Sequence, residues 1–468
     1  MIIYRLQDKL DSLNTKKTLL NTILAMMMLV GMLCLKTLLA MLTANWYAPT
    51  VAGGSCLTAL FALLMVRKNR ISYTKSGIFI LAMEIIIGVF FIFNGLVLRI
   101  VAYSVIGVVF AFLLPIVQYA LATHDPEKIA EHFCMSITIA YIILLIANMF
   151  WGPIMTKFQF GSILGNSNLL GNFLVILIPS LSYLLIKKKA SFKKKAVGWG
   201  LLVSAVSMLV FTSSRTSALA ICFSMGFFLI MMIVSRDKTK KLRLEKKQII
   251  TIVIITAAVP FVMFFMLSTV RKNIVILSHK ISMSFSDTDS KSDSELDNEE
   301  KEIEDIENMV TEYNLNYYIK GLDGAGDESF SSGRITIWKE FAKNVGIMGH
   351  SSEQREVIEE TRHYEHVNAH NVYLQVAYTA GIAAGCAYLI AVVFIGIKAL
   401  AMFAGVIAKK EKLRPELLLG YCFFIGFAIT SLTSDGYMMF NYFPVTLFWL
   451  TAHNYMFKQK NQNEENPK

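Results

Sequence analysis

Three histidines precede a long apolar run in the stretch HYEHVNAHNVYLQVAYTAG at residues 363–381. His363, His366 and His370 recur at i, i+3 and i+7, a spacing that shares one face of a helix. Three imidazoles could hold zinc, but Glu365 precedes His366, so the HExxH order of metalloproteases is absent. A single histidine could instead take a proton from a hydroxyl, because the ordinary histidine pKa is about 6.5. A metal site, a general base and a solvated helix end are all open readings of this stretch.

A second residue that could take part in chemistry is Arg215, which interrupts an apolar stretch between Leu209 and Ala218. An arginine in hydrocarbon costs about 2.5–3.5 kcal/mol on insertion scales, so such residues face a cavity, carry function, or snorkel to headgroups from a helix end. Hydroxyl side chains flank it, those of Thr212, Ser213, Ser214, Thr216 and Ser217. A guanidinium among hydroxyls suits an anionic phosphate.

Other polar residues in the sequence each allow a structural and a functional interpretation. Arg334, in SSGRITIW, reads as an ordinary surface arginine or as a second cation near Arg215. Asn166 and Asn168, in GSILGNSNLLGN, suit helix capping. Lys36 and Glu84 lie within apolar runs and could neutralise each other as a structural pair.

The elements that must position these residues are membrane-spanning helices. Of the 468 residues, 55% are hydrophobic and only 17% charged, too apolar a balance for a soluble protein of this length. Runs of about 20 apolar residues predict an all-α polytopic membrane protein with about 12 spans. The runs lie near residues 18–44, 50–66, 76–96, 100–121, 133–152, 168–186, 196–212, 216–235, 248–269, 369–405, 416–433 and 438–457.

The net charge of +11 indicates the membrane topology rather than nucleic-acid binding, because the lysines and arginines occupy short loops between apolar runs, as in the cytoplasmic loops of membrane proteins. With those loops inside, both termini are cytoplasmic and the candidate residues lie at outer helix ends. The predicted organisation is nine transmembrane helices in 1–269, an extracytoplasmic loop at 270–368, three helices in 369–457 and a cytoplasmic tail at 458–468. Within the loop, 286–312 is strongly acidic and has a composition typical of solvated, disordered chain.

Several motifs occur in an order that resembles the O-antigen ligase and surface polysaccharide polymerase family, over about residues 160–400. They are GSILGNSNLLGNFLVILIP (161–179), SSRTSAL (213–219), SGRITIW (332–338), GIMGHSS (346–352) and AHNVYLQVAYTAG (369–381). The most specific part is the His-Asn pair at 370 and 371, followed after nine residues by Gly381. Arg215, with three residues between it and Leu219, also fits. The chain departs at Thr379-Ala380, where the family commonly has a glutamate before the glycine.

The resemblance implies a GT-C-like, inverting glycosyltransferase of the cytoplasmic membrane whose active site is extracytoplasmic. Its donor would be an oligosaccharide linked through diphosphate to a polyprenyl lipid, and its acceptor a hydroxyl of a glycan or another envelope component. Assigning the family's roles to the matching residues implies that His370 and Arg215 are catalytic. The substrate-binding residues would be Arg334, Asn371, Asn166, Asn168 and His366. Since arginines can supply the positive charge, we expect neither a metal ion nor a cofactor.

Three alternatives remain open at this point. A polymerase, which extends a lipid-linked chain, and a ligase, which moves the finished chain to another acceptor, share this chemistry. A transporter or flippase of lipid-linked sugars would also have many spans, but should place polar groups near the midplane in two related halves. A peptidoglycan-type polymerase is a third option, for which Asp435 in SLTSDGY is the one outer-end aspartate available.

Overall fold

The structure, a computed structural model, describes residues 71–123, 126–151, 155–156, 159–162, 167–186, 192–212, 214–234, 254, 334–350, 369–408, 415–432 and 457–459. Its α-helices are α1 (Lys75–Val97), α2 (Val101–Val108), α3 (Leu114–Ala122), α4 (Pro126–Trp151), α5 (Ser167–Ile186), α6 (Phe192–Thr212), α7 (Arg215–Val234), α8 (Arg334–Lys343), α9 (Val372–Ala380), α10 (Ile382–Ile407) and α11 (Pro415–Ser431). A π-helical turn, Val109–Leu113, joins α2 to α3. The strands are β1 (Ile71–Tyr73), β2 (Met155–Thr156), β3 (Gln159–Phe160) and β4 (Phe457–Gln459).

Five of the described helices are long and apolar enough to cross a membrane. They cover Lys75–Val97, Ile129–Ile146, Lys195–Thr212, Arg215–Met232 and Ile382–Ile407. Shorter apolar helical stretches are Tyr103–Tyr119, Leu170–Ile186 and Glu416–Ser431. The predicted helical, multi-span character is thereby confirmed. The predicted runs at 18–44, 50–66, 248–269 and 438–457 lie outside the described residues, apart from residues 254 and 457. The total of twelve spans therefore stays a prediction, as does the GT-C-like fold.

The helices pack around two apolar clusters that share α10 and α11. The first cluster lies between α4, α5, α6 and α7, with Tyr141 and Leu174 fully buried in it. The second lies between α1, α2, α9 and α10, with Ile87 and Tyr388 fully buried. Leucines of α11 enter the first cluster and Phe427 enters the second. Because α10 and α11 contribute residues to both clusters, they connect the two halves of the described bundle.

Small residues let α1 and α2 approach closely. A β-carbon added to Gly88 would lie 2.7 Å from both the Cβ of Ala111 and the carbonyl oxygen of Gly107. Close backbone approach through small side chains is a common way to join helices in membranes, where apolar burial gives no driving force. The π-helical turn includes Ala111 itself.

The apolar run at 369–405, predicted as one span, forms two helices instead. Gly381 separates α9 from α10 and has a φ of 91°, a conformation open to glycine and strained for other residues. The two helices then pack side by side, since the rings of Tyr373 and Tyr388 lie 5.7 Å apart and Gly385 contacts Ala377. The run is apolar throughout, so its hydropathy contains no sign of this reversal.

The short strands join segments that are distant in sequence. β1 pairs with β4 in antiparallel register, with Ser72 opposite Lys458. β2 pairs with β3 immediately after α4. The first pairing places residues 457–459 beside the start of α1.

Candidate functional site

The described candidate residues lie in one half of the bundle, and contacts between α1, α9 and α10 define the end of that half. The side-chain amide of Asn94, near the end of α1, donates to the carbonyl oxygen of Thr379 at 3.3 Å. Near the other end of α1, the ring of Phe79 lies 4.8 Å from that of Phe394. Helix α1 is therefore antiparallel to α10, and its C-terminus, the start of α10 and the Gly381 turn share this end.

His370 and Asn371 form the start of α9. Asn371 is the N-cap residue, and its side-chain oxygen accepts from the backbone N–H groups of Tyr373 at 3.0 Å and Leu374 at 3.2 Å. His370 has a φ of 48°, in the left-handed region that a residue with a β-carbon rarely adopts. Its Nδ1 atom is buried although the residue is partly exposed. Two candidate functional residues, His370 and Asn371, thus share one tightly constrained helix start.

Arg334 is the first residue of α8, an amphipathic helix that packs on α9. The rings of Phe341 and Tyr378 lie 4.7 Å apart, and they form a small apolar cluster with Ala369, joined by Ile337 and Leu374. The half-buried Arg334 therefore belongs to a helix that rests directly against the segment carrying His370.

The segment 346–350 closes the C-terminal end of α9. The backbone N–H of His350 donates to the carbonyl oxygen of Tyr378 at 2.9 Å. The backbone N–H of Ile382 donates to the carbonyl oxygen of Gly346 at 3.0 Å. The His350 ring stacks on Tyr378 at 4.8 Å, and the Tyr103 hydroxyl donates to the His350 carbonyl oxygen at 3.3 Å. Since the last carbonyl groups of a helix have no partner within the helix, this segment fixes the end of α9 as Asn371 fixes its start.

Arg215 is the first residue of α7 and is exposed, whereas the nearby hydroxyl residues Thr212, Ser214 and Ser217 are buried. The Ser214 hydroxyl lies 3.1 Å from Oδ1 of Asn168 and 2.9 Å from the Ser217 hydroxyl. Ser217 in turn donates to Oδ1 of Asn172 at 3.5 Å. Asn168 therefore binds the start of α7 rather than capping α5, of which it is the second residue.

Helix register places Arg215 and His370 at about the same height. Arg215 precedes Phe227 by 12 residues, and the Phe227 ring lies 5.6 Å from that of Phe403. At about 1.5 Å per residue, Arg215 is level with residues near 391 of α10. His370 comes three residues before Tyr373, which meets Tyr388, so it also falls near residue 391. Both residues thus lie about 13 Å below the start of α10.

Two residues at this end, Gln375 and Asn172, were not expected from the sequence. The side-chain oxygen of the buried Gln375 accepts from the backbone N–H of Ala369 at 2.8 Å. Asn172 is buried one helical turn after Asn168, and that i, i+4 spacing is the signal that would have found it. His350 belongs to the GIMGHSS motif, and its glycines mark a segment that must pack closely on another.

Some predicted residues lie outside the part of the chain that the structure describes, namely Asn166, His363, His366, Lys36 and Asp435. Glu84, the predicted partner of Lys36, is fully buried and accepts a hydrogen bond from the side-chain amide of Gln118 at 2.5 Å. Across the described residues, no group of three or more His, Cys, Asp or Glu side chains is arranged to hold a metal ion.

The several long apolar helices define a helical, multi-pass membrane protein. Within that class, the sequence model of the O-antigen ligase family matches residues 200–389, from α6 into α10. This match confirms the resemblance predicted from the motifs. The match contains Arg215, Arg334, His370 and Asn371. No curated protein and no solved structure matches the chain.

Proposed function

We propose that this protein is a glycosyltransferase that moves a glycan from a polyprenyl diphosphate to an acceptor hydroxyl at the outer face of the cytoplasmic membrane. The match of residues 200–389 to the O-antigen ligase family implies an activity of this general type in polysaccharide assembly. The observation that carries the finer proposal is the shared height of Arg215 and His370 in the same half of the bundle. Arg334 joins them through the packing of α8 on α9.

The proposed reaction is a single displacement at the anomeric carbon, which inverts its configuration. The acceptor oxygen forms the new bond to this carbon while the bond to the diphosphate breaks, so polyprenyl diphosphate leaves with the electron pair. Arg215 and Arg334 stabilise the negative charge that develops on the diphosphate, a role that requires no metal ion. His370 takes the proton of the attacking hydroxyl, or binds the diphosphate as an imidazolium.

The outward orientation rests on the distribution of positive charge. The basic segment RKNR at 67–70 leads into β1, and β4 brings Lys458 beside Ser72 at the opposite end of α1 from Asn94. Loops rich in lysine and arginine stay in the cytoplasm. The end that carries Arg215 and His370 then faces outward, where a lipid-linked donor is available without a nucleotide sugar.

Glu84 favours a second candidate, a transporter or flippase of lipid-linked sugars. This carboxyl lies inside α1, hydrogen-bonded to Gln118, and ionisable groups within spans often mark a transport path. A transporter depends on polar groups near the midplane, whereas the transferase depends on Arg215 and His370. The two proposals therefore predict different sensitive residues.

The test is a transfer assay with purified protein in lipid vesicles. Lipid-linked oligosaccharides extracted from membranes of cells that lack this chain serve as both donor and acceptor. We expect chain growth with the wild type and a loss of at least about a hundredfold with His370→Ala or Arg215→Ala. The matched control is Arg99→Asn, because Arg99 is an exposed arginine at the same end with a φ of 56° that asparagine tolerates.

The outcomes separate the candidates. Undiminished chain growth in both His370→Ala and Arg215→Ala contradicts the proposed mechanism. Movement of lipid-linked oligosaccharide across the vesicle membrane without any transfer, abolished by Glu84→Gln, supports the transporter instead.

A further inference from the structure

The backbone of His370 needs support that comes from outside the residue itself. Its φ of 48° is disfavoured for any residue with a β-carbon. Such conformations persist only where surrounding contacts determine them, and they cluster at functional sites. Asn371 fixes the residues after His370 by capping α9, but the cap does not hold the residues before it.

Gln375 supplies the contact on that side. Its side-chain oxygen accepts from the backbone N–H of Ala369 at 2.8 Å, reaching back over the start of α9. Ala369 is completely buried and Gln375 is 5% exposed, so water cannot easily replace this hydrogen bond. The bond and the cap together enclose His370 from both sides.

Gln375 is itself held firmly in α9. Its backbone N–H donates to the Asn371 carbonyl oxygen at 2.8 Å, and its carbonyl oxygen accepts from the Thr379 hydroxyl at 2.7 Å. A side chain on a fixed helix can set the position of the backbone it contacts to a fraction of an ångström. Glutamine also provides this acceptor without a charge, which matters near a site proposed to hold a diphosphate anion.

We infer that Gln375 is a positioning residue for His370: its side-chain oxygen holds Ala369 so that the His370 backbone keeps its left-handed conformation and the imidazole keeps its place. This inference rests on the proposed function only for the consequence in catalysis. The structural half, that Gln375 sets the surroundings of His370, is independent of what His370 does.

The test uses Gln375→Met, which preserves side-chain length and removes the acceptor. The control is Ser180→Ala, which removes a buried side-chain hydrogen bond to the Ile176 carbonyl oxygen in α5 and leaves α9 untouched. In the vesicle assay, we expect Gln375→Met to lower kcat by about 10- to 100-fold with KM within about twofold, since small displacements of a catalytic group have effects of this size. Ser180→Ala should leave kcat within about threefold of the wild type.

A second readout does not depend on activity. Diethyl pyrocarbonate modifies accessible imidazoles, and mass spectrometry of the full-length protein measures the rate at each histidine. Gln375→Met should change the rate at His370 severalfold, whereas the rate at His350, fixed by its own backbone bonds, should stay the same.

Unchanged modification of His370 together with unchanged kcat overturns the inference. An equal change at His350 also overturns it, because it reveals a general loosening of the fold. If His370→Ala retains transfer, the proposed function fails, while the modification rates still decide whether Gln375 positions His370.

Discussion

Replacing Asn371 distinguishes a helix cap from a substrate ligand. The sequence predicts that Asn371 binds substrate, but the structure shows its side-chain oxygen accepting two backbone hydrogen bonds at the start of α9. Serine is also a good N-cap and lacks the amide, whereas alanine has no cap at all. Asn371→Ser therefore keeps the cap and removes any amide contact with substrate, and Asn371→Ala removes both.

The size of the effect follows from the cap. Losing an N-cap costs about 0.5–2 kcal/mol, which corresponds to about a 2- to 30-fold increase in opening of the first turn. The N–H groups of Tyr373 and Leu374 report that opening directly, because they donate to Asn371. Since α9 has only nine residues, its first turn is a large part of the helix that carries His370.

The assay combines hydrogen exchange with transfer. Mass spectrometry of the detergent-solubilised protein should show exchange of the Tyr373 and Leu374 amides about 2- to 30-fold faster in Asn371→Ala and near the wild-type rate in Asn371→Ser. Transfer activity should fall in Asn371→Ala and stay close to the wild type in Asn371→Ser. If Asn371→Ser loses activity as severely as Asn371→Ala while its exchange stays slow, the capping account is refuted and the amide contacts substrate.

Three further predictions concern packing. Gly381→Ala should lower the free energy of unfolding by about 1–3 kcal/mol, because the φ of 91° strains alanine and its β-carbon would meet the Ile347 carbonyl oxygen. Thermal unfolding checks this prediction, and Gly226→Ala is the control because Gly226 has open space around it. Gly171→Ala should press α5 away from α7, since its β-carbon would lie 2.9 Å from the Ser217 Cβ, so transfer should fall severalfold while Gly226→Ala stays active. Glu84→Gln should retain stability within about 1 kcal/mol, whereas Glu84→Leu should lose about 1–3 kcal/mol by leaving a buried amide of Gln118 without this acceptor. Equal unfolding temperatures of the two Glu84 variants would contradict that reasoning.

The positions of the helices were largely predictable because hydropathy and helix length follow the same physics in every membrane protein. The run at 168–186 became α5 at Ser167–Ile186, and Arg215 begins α7, one residue before the predicted run at 216–235. His370 and Asn371 were predicted at the start of a helix and lie there. These features depend on local sequence, which is why they were accessible.

The turn at Gly381 was not predictable in the same way. A single glycine between apolar residues reads equally well as part of a continuous span, and only its packing against Ile347 reveals the reversal. As a result, His370 begins a nine-residue helix beside α10 rather than the long span itself.

Side-chain contacts to the backbone were equally hidden. Gln375 contacts Ala369, and Asn172 contacts Ser217 across 45 residues of sequence. Each of these bonds requires a specific relative placement of two segments, which composition and periodicity do not encode. The sequence therefore predicted the candidate catalytic and binding residues better than the residues that hold them in place.

Photo-crosslinking with a polyprenyl diphosphate tests the central claim most directly. The probe carries a photoreactive group on the first isoprene unit, next to the diphosphate, and mass spectrometry locates the labelled residues in the vesicle-embedded protein. We predict labelling near Arg215 at the start of α7 and near His370 or Arg334, diminished in Arg215→Ala and competed by unlabelled polyprenyl diphosphate. Labelling confined to the opposite end of the bundle, around Met232 and Val406, would contradict a shared diphosphate site at Arg215 and His370.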